Sequence, residues 1–255
     1  MIDSVRVLDI DLYGKDNRTA VKLMIDSILS QQATNRCVSA TGAHGMVYAR
    51  KNPQFRDVLN SFFINLPDGM PGVWIGRLKG KKGMMRCYGP DFFMAFLMAS
   101  SELPIRHFFC GGNPGVAEEL KEAVGNKFRN HNVVGTFCPP FVPIDAYPYE
   151  EIASIINESG ADVVWIGLST PKQEQFASRL RPFLKVRYIM TVGAAFDFHT
   201  GKIRQAPRFI SRIGLEWFFR LLIEPKRLYR RYGEVVPLFI FYNLQEFFRF
   251  ATRKK

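Results

Sequence analysis

No stretch of this 255-residue chain approaches the roughly 18–20 uninterrupted apolar residues that a membrane-spanning helix needs. Cysteine is scarce: Cys37, Cys87, Cys110 and Cys138 are widely separated and form no CxxC pair. That excludes a thiol redox motif or a zinc ribbon and leads us to expect reduced, buried thiols in an intracellular protein. His44, His107, His131 and His199 have no metal-ligand spacing. The opening MIDSVRVLDI lacks the basic and apolar regions of a secretory signal, so none is expected. There is no GK[ST] ending of a Walker loop, no GxGxxG, no internal repeat and no low-complexity tract.

What is present is apolar, aromatic and basic. The apolar fraction is 47%, with 23 Phe, which demands a folded core. The net charge is +12, and residues Phe196 to Lys255 carry thirteen Lys+Arg against five Asp+Glu, two-thirds of that excess. Such a balance suits nucleic acid, phosphate-bearing ligands or anionic lipid, and composition alone does not choose.

Short apolar runs alternate with helical patterns. Strands are expected at Val5–Ile10, Arg36–Ala40, Phe62–Leu66, Ile105–Cys110, Val133–Phe137, Asp162–Gly167 and Arg187–Val192. Helices are expected at Gly45–Lys51, Asp91–Ser101, Gly115–Phe128, Tyr149–Ser159 and Lys172–Leu184. This order predicts an α/β fold: a Rossmann-like, largely parallel sheet covered by helices, with ligands beyond the carboxyl ends of its strands. After about Gly193 the pattern changes, dividing the chain into a core at 1–195 and a basic, aromatic-rich helical appendage at 196–255. Pro207–Ile223 reads as one helix with Phe209, Ile213, Trp217 and Leu221 on an apolar face and Arg208, Arg212 and Arg220 elsewhere. Pro237–Phe250, before the terminal Arg253-Lys254-Lys255, is too short to span a membrane and suits a helix lying in its interface. The same apolar faces would equally serve to pack on the core.

Three loops and one arginine cluster carry the chemistry. Leu66-Pro67-Asp68-Gly69 sets an acid at a strand's carboxyl end, where a general base reaches a ligand; alone it reads more readily as an Asp-Gly turn. Cys110-Gly111-Gly112-Asn113-Pro114-Gly115 joins a strand to a helix, and its free amides suit a phosphate or the polar edge of a nucleotide. Gly167-Leu168-Ser169-Thr170-Pro171-Lys172-Gln173-Glu174 repeats that arrangement, with Lys172 and Gln173 able to hydrogen-bond a sugar or a base. Arg220, Arg227, Arg230 and Arg231 recur at spacings that converge on one target, and guanidinium groups bind phosphate oxygens bidentately. Asp9-Ile10-Asp11 spells the DxD pattern of metal–diphosphate sites, but no further ligands stand near it in sequence and no metal is expected there.

Together these residues resemble the WecG/TagA/CpsF glycosyltransferase family from about Val5 to Tyr232. The likeness rests on Asp68-Gly69, Arg86 with Gly89 and Asp91, Gly111-Gly112, Pro171-Lys172-Gln173-Glu174, Gly193-Ala194-Ala195-Phe196-Asp197, Gly201 with Arg204-Gln205-Ala206-Pro207, and Glu216-Trp217 through Tyr232. Each alone is weak; in order they are specific. The resemblance implies an inverting, metal-independent transfer from a UDP-sugar, of N-acetylmannosamine or uronic-acid type, to a polyprenyl-diphosphate-linked saccharide in surface-polysaccharide assembly. It implies no cofactor, and an appendage docked on the cytoplasmic face of an anionic membrane. Carried over by position, Asp68 is the catalytic base, Gln173 a pocket residue, and Arg220, Arg227 and Arg230 close over the diphosphate, with Gly111, Gly112 and Gly193 lining the donor site.

Two departures stand out. Where the family has Thr-x-Asn near the end of the second strand, this chain has Ala40-Thr41-Gly42, leaving Thr41, His44 and Arg86 as further pocket candidates. Asp9 stands where the family tends to have glycine. The alternatives are a nucleotide-sugar-binding protein that has lost catalysis, against which stand Asp68 and the arginines, and a nucleic-acid-binding protein with a Rossmann-like core. Nucleic acid gives no use for the apolar faces of the tail, so none is expected as a partner. An exposed apolar tail also permits a homo-oligomer.

Overall fold

The computed structural model describes residues 2–207, 209–210 and 214–252; the side chains of Arg227 and of residues 249–252 lie outside that description. Arg208, Arg212, Ile213 and the terminal Arg253-Lys254-Lys255 are likewise outside the described residues.

Eight strands form one sheet in the order β1-β2-β4-β3-β8-β7-β5-β6. They are β1 (Ser4–Val7), β2 (Ile10–Tyr13), β3 (Arg36–Thr41), β4 (Ile64–Pro67), β5 (His107–Gly111), β6 (Val133–Phe137), β7 (Val163–Gly167) and β8 (Tyr188–Thr191). Only the edge strand β1 runs antiparallel, paired with β2. The other pairings are parallel, so strands β2 to β8 all point their carboxyl ends at the same edge.

The expected first strand, Val5–Ile10, is instead a hairpin. Leu8 and Asp9 both take positive φ, 48° and 68°, the pair of angles that a two-residue primed turn requires. Glycine enters that conformation freely and Asp tolerates it, which accounts for Asp9 at a position where the family tends to have glycine. Asp9 then pairs with Arg50, and Asp11 with Arg6 at 3.2 Å, so both acids of the DxD pattern are engaged by arginines.

Among the described residues are eleven α-helices: α1 (Asn17–Leu29), α2 (Ala43–Lys51), α3 (Pro53–Asn60), α4 (Met70–Leu78), α5 (Gly89–Ala99), α6 (Val116–Phe128), α7 (Tyr149–Glu158), α8 (Lys172–Leu180), α9 (Ala195–His199), α10 (Glu216–Ile223) and α11 (Pro225–Thr252). Local chemistry sets their starts. The Asp16 carboxylate accepts from the Thr19 amide at 2.9 Å and caps α1, and Asn52 accepts from Phe55 at 3.0 Å ahead of Pro53 in α3. The expected helix to Leu184 stops at Leu180 and tightens into a 3-10 turn, Arg181–Phe183, around Pro182.

Helices α1, α5, α6 and α9 cover one face of the sheet and bury a cluster that includes Phe92, Phe93, Phe96, Phe109, Trp165 and Phe196. Phe93 meets Trp165 edge-on with ring centroids 4.8 Å apart. Helices α7 and α8 build a second cluster on the opposite face around Phe176, Ile152 and Ile166. A third joins Leu12, Met46, Phe55 and Val73 to Val235 and Phe239 of α11, so the C-terminal helix packs on the hairpin end of the core. Ion pairs Lys79–Glu246 at 2.7 Å and Lys51–Glu234 at 2.5 Å tie that helix to the ends of α4 and α2.

The C-terminal region departs from expectation in two ways. Pro207–Ile223 is not one helix: Gly214, with φ of 81°, and Leu215 interrupt it, and α10 starts afresh at Glu216. Pro237 does not open a helix either; it lies inside the 28-residue α11. Among the described residues no helix is long and apolar enough to cross a membrane.

Candidate active site

The carboxyl ends of β3, β4, β5, β7 and β8 open into one cavity of about 1490 Å³, roofed by α4, α10 and α11. Asp68 sits on its floor, one residue past β4. Its Oδ1 accepts from the Gly89 amide at 2.7 Å, at the first turn of α5. Glycine at position 89 lets the backbone come close, because a Cβ there would crowd the Val192 carbonyl at 3.0 Å and Ala40 at 3.2 Å. Arg86 holds the loop from the other side, its Nε donating to the Asp68 carbonyl at 2.9 Å. The same guanidinium donates to Glu216 on α10 at 2.6 Å and lies 4.1 Å from the Tyr88 ring centre.

Burial pushes the Asp68 carboxyl up to about 6. The Arg86 charge and the Gly89 amide pull it down, the Glu216 carboxylate pushes it up, and Arg220 pulls it down again. A carboxyl poised near neutrality at a strand end is well matched to accept a proton.

Alternation along β3 decides the fate of the pocket candidates there. Ala40 and Gly42 face the cavity, and a Cβ on Gly42 would lie 3.6 Å from Asp68 Oδ2. The side chains of the family's Thr-x-Asn would therefore enter the cavity beside the carboxylate. Thr41 points the other way: it is 3% exposed, and its hydroxyl donates to Ser39 at 3.0 Å inside the sheet. It does not replace the missing groups. His44, in the first turn of α2, does line the cavity. Burial, reinforced by Arg231, lowers its pKa to about 4, so it stands as a neutral imidazole.

The glycine loops form the opposite wall. Gly111 has φ of 136°, and a Cβ on it would strike the Gly167 carbonyl at 2.6 Å, so the β5 and β7 loops touch only because it is glycine. Gly112, Asn113, Gly167 and Gly193 line the cavity. Gln173 lines it too, but its amide is committed to the protein: Oε1 accepts from the Gly193 amide at 3.0 Å, while Nε2 donates to Glu174 at 2.9 Å and Thr170 at 3.2 Å. Lys172 lies between the rings of Phe141 and Tyr147, 4.6 and 5.0 Å from their centres, at the rim.

Of the arginine cluster, Arg220 and Arg231 line the cavity. Arg220 lies 5.4 Å from the Phe198 ring centre and 3.8 Å from Glu224. Arg230 is exposed and outside the lining, and the side chain of Arg227 lies outside the described residues. Sequence reasoning gave no role to Glu216 or to the apolar arm of the cavity, where Trp74 and Leu78 of α4 face Ile240, Leu244 and Phe247 of α11. The spacing Met70, Trp74, Leu78 is a helical stripe legible in the sequence, whereas its partner surface came into view only with the fold. Among the described residues no group of three or more His, Cys, Asp or Glu is placed to hold a metal ion.

The sequence pattern of the Glycosyl transferase WecG/TagA/CpsF family matches residues 5–253. A protein of Bacillus spizizenii strain W23, named N-acetylglucosaminyldiphosphoundecaprenol N-acetyl-beta-D-mannosaminyltransferase, is 33% identical over 179 residues, covering 70% of this chain and 68% of the relative. A Bacillus subtilis strain 168 protein of the same name is 26% identical over 217 residues, 84% of this chain and 82% of the relative. The chain belongs to the WecG/TagA/CpsF family and is a glycosyltransferase.

Proposed function

We propose that this enzyme moves a sugar, of N-acetylmannosamine or uronic-acid type, from a UDP-sugar to a polyprenyl-diphosphate-linked saccharide, with inversion, in surface-polysaccharide assembly. The observation that carries the reading is one cavity that combines a carboxyl poised near pH 6, three arginines (Arg86, Arg220 and Arg231) and an apolar arm. The names of the two relatives support the lipid-linked acceptor.

In this reading the acceptor hydroxyl attacks the anomeric carbon as Asp68 takes its proton. The new glycosidic bond forms while the bond from that carbon to the diphosphate oxygen breaks, and UDP leaves with both electrons. Arg220 and Arg231 stabilise the charge that develops on the diphosphate, the role a metal fills in other transferases; removing one such preorganised contact commonly costs about 3–4 kcal/mol in the transition state. The glycine walls at Gly112, Asn113 and Gly193 receive the nucleotide. The apolar arm between α4 and α11 leads the polyprenyl chain out towards lipid. Exposed Phe218, Leu222, Phe241 and Phe248 on α10 and α11, together with the basic excess of the tail, dock this end on the cytoplasmic face of an anionic membrane.

A panel of UDP-sugars, each tested with and without a polyprenyl-diphosphate-sugar analogue and in the presence of a chelator, tests the reading. One donor should give acceptor-dependent product of inverted configuration that survives chelation. UDP binding without transfer from any donor would point to a descendant that only binds, and failure to bind UDP would overturn the proposal.

A further inference from the structure

One guanidinium joins two parts of the chain that are 130 residues apart. Arg86 reaches the Asp68 carbonyl through Nε at 2.9 Å and the Glu216 carboxylate through Nη2 at 2.6 Å. Glu216 is only 8% exposed, and it is the first residue of α10, where a carboxylate is favoured by the helix's free amides. The seat of that helix is fitted closely: Gly214, just before it, approaches α4 so tightly that a Cβ would lie 3.0 Å from Trp74 and 3.1 Å from Met70. The catalytic loop and the C-terminal helices therefore meet at Arg86.

We infer that Glu216 is a positioning residue which, through Arg86, ties the seating of the C-terminal helices to the geometry and charge balance of the Asp68 carboxylate. The inference rests on the reading of Asp68 as the base. The groups that face Asp68 are Arg86, Cys87, Tyr88 and the Gly89 amide from the segment entering α5, Glu216 and Arg220 from α10, and Tyr232 from α11. Glu216 is the carboxylate of this set, balancing Arg86 and Arg220. With it in place, Arg86 is held at a fixed distance from the Asp68 loop and its charge is shared with Glu216. Without it, two cations act on Asp68 unopposed, which favours the carboxylate form and weakens it as a proton acceptor. A seated appendage thus completes the base as well as the roof.

The test is the pH dependence of kcat/KM for Glu216→Gln, Glu216→Asp and the paired Arg86→Gln/Glu216→Gln variant. Glu216→Gln should lower kcat and move the acid limb to lower pH, because a neighbour that raised the Asp68 pKa is gone. The paired variant, neutral at both positions, should bring the midpoint back towards wild type. Glu216→Asp keeps the charge on a shorter arm; its limb should stay in place while kcat falls, and it serves if the Gln variant does not fold. An acid limb that stays put in Glu216→Gln, with activity reduced equally at all pH, would overturn the inference and leave Glu216 a structural residue. A limb that persists in the residual activity of Asp68→Asn would instead show that the limb is not Asp68's, and would overturn the reading of the base.

Discussion

At the scale of single residues, Asp68 is held in a state that folding disfavours. Its pKa is raised by burial to about 6, so the folded protein binds a proton there more tightly than the unfolded chain does. The resulting penalty is fully present above pH 6, fades as pH falls, and is gone below the ordinary carboxylate value near 4. Asp68→Asn removes the charge while preserving the shape. We expect it to lower transfer by about 10²–10⁴-fold, and to stabilise the protein at pH 7 by up to about 3 kcal/mol, a gain that vanishes near pH 4. Thermal unfolding of both proteins across pH 4–8 checks this; equal stability at pH 7 would contradict the burial argument. His107 works in the opposite sense. Trp165 Nε1 donates to its Nδ1 at 3.2 Å and Ser100 Oγ lies 3.0 Å from Nε2, an arrangement suited to a neutral ring protonated on Nε2. Burial lowers its pKa to about 3, so its contribution is complete above the ordinary value of about 6.5 and is lost as pH falls towards 3. Acid sensitivity of the fold should therefore persist in Asp68→Asn.

At the scale of elements, much of the core was legible because apolar runs and helical periods repeat in order. Six of the seven expected strands match β3 to β8 with shifts of a residue or two at their ends. The seventh was misread because Leu8-Asp9 turns the chain without a glycine or asparagine to announce it. Helices α1, α3, α4 and α9 were not among the expected elements, although Ala20, Val21, Met24, Ile25 and Ile28 of α1 repeat at helical spacing behind the Asp16 cap. The glycine walls were legible as glycines, but their purpose was not: Gly111 serves contact between β5 and β7, whereas Gly112 reaches the cavity. Gly111→Ala should consequently destabilise the protein by more than about 1–3 kcal/mol, adding a clash to backbone strain, while Gly115→Ala, with nothing within 4 Å of the new Cβ, carries only the strain of its positive φ. Denaturant unfolding of the two variants checks the order. The apolar arm makes a separate demand. Leu78→Glu and Ile240→Glu place charges along it, and each should raise KM for a long polyprenyl acceptor while sparing a short-chain analogue. An equal effect on both acceptors would argue that the arm does not carry the lipid.

At the scale of the whole molecule, the charge and the apolar surface coincide. Six of the thirteen basic residues in the last sixty, Arg220, Lys226, Arg227, Arg230, Arg231 and Arg249, belong to the same two helices that expose Phe218, Leu222, Phe241 and Phe248. The sequence showed this composition, but whether those faces pack on the core depended on tertiary structure: Leu228, Val235 and Phe239 of α11 turn inward, with Leu238 and Tyr242 packed beside them, whereas Val236, Ile240, Phe241, Leu244 and Phe248 stay exposed. Co-sedimentation with anionic vesicles should exceed that with neutral vesicles and weaken with salt, and Phe241→Glu/Phe248→Glu should reduce it under both conditions. Binding indifferent to lipid charge and to these substitutions would count against docking through this end.

Asp68 as the base of a transfer reaction is tested most sharply by acceptor-dependent release of UDP by wild type and Asp68→Asn at matched donor saturation. Release should require the lipid-linked acceptor, rise through an acid limb near pH 6, and fall by about 10²-fold or more in the variant, with UDP affinity retained. Undiminished acceptor-dependent release by Asp68→Asn would contradict it.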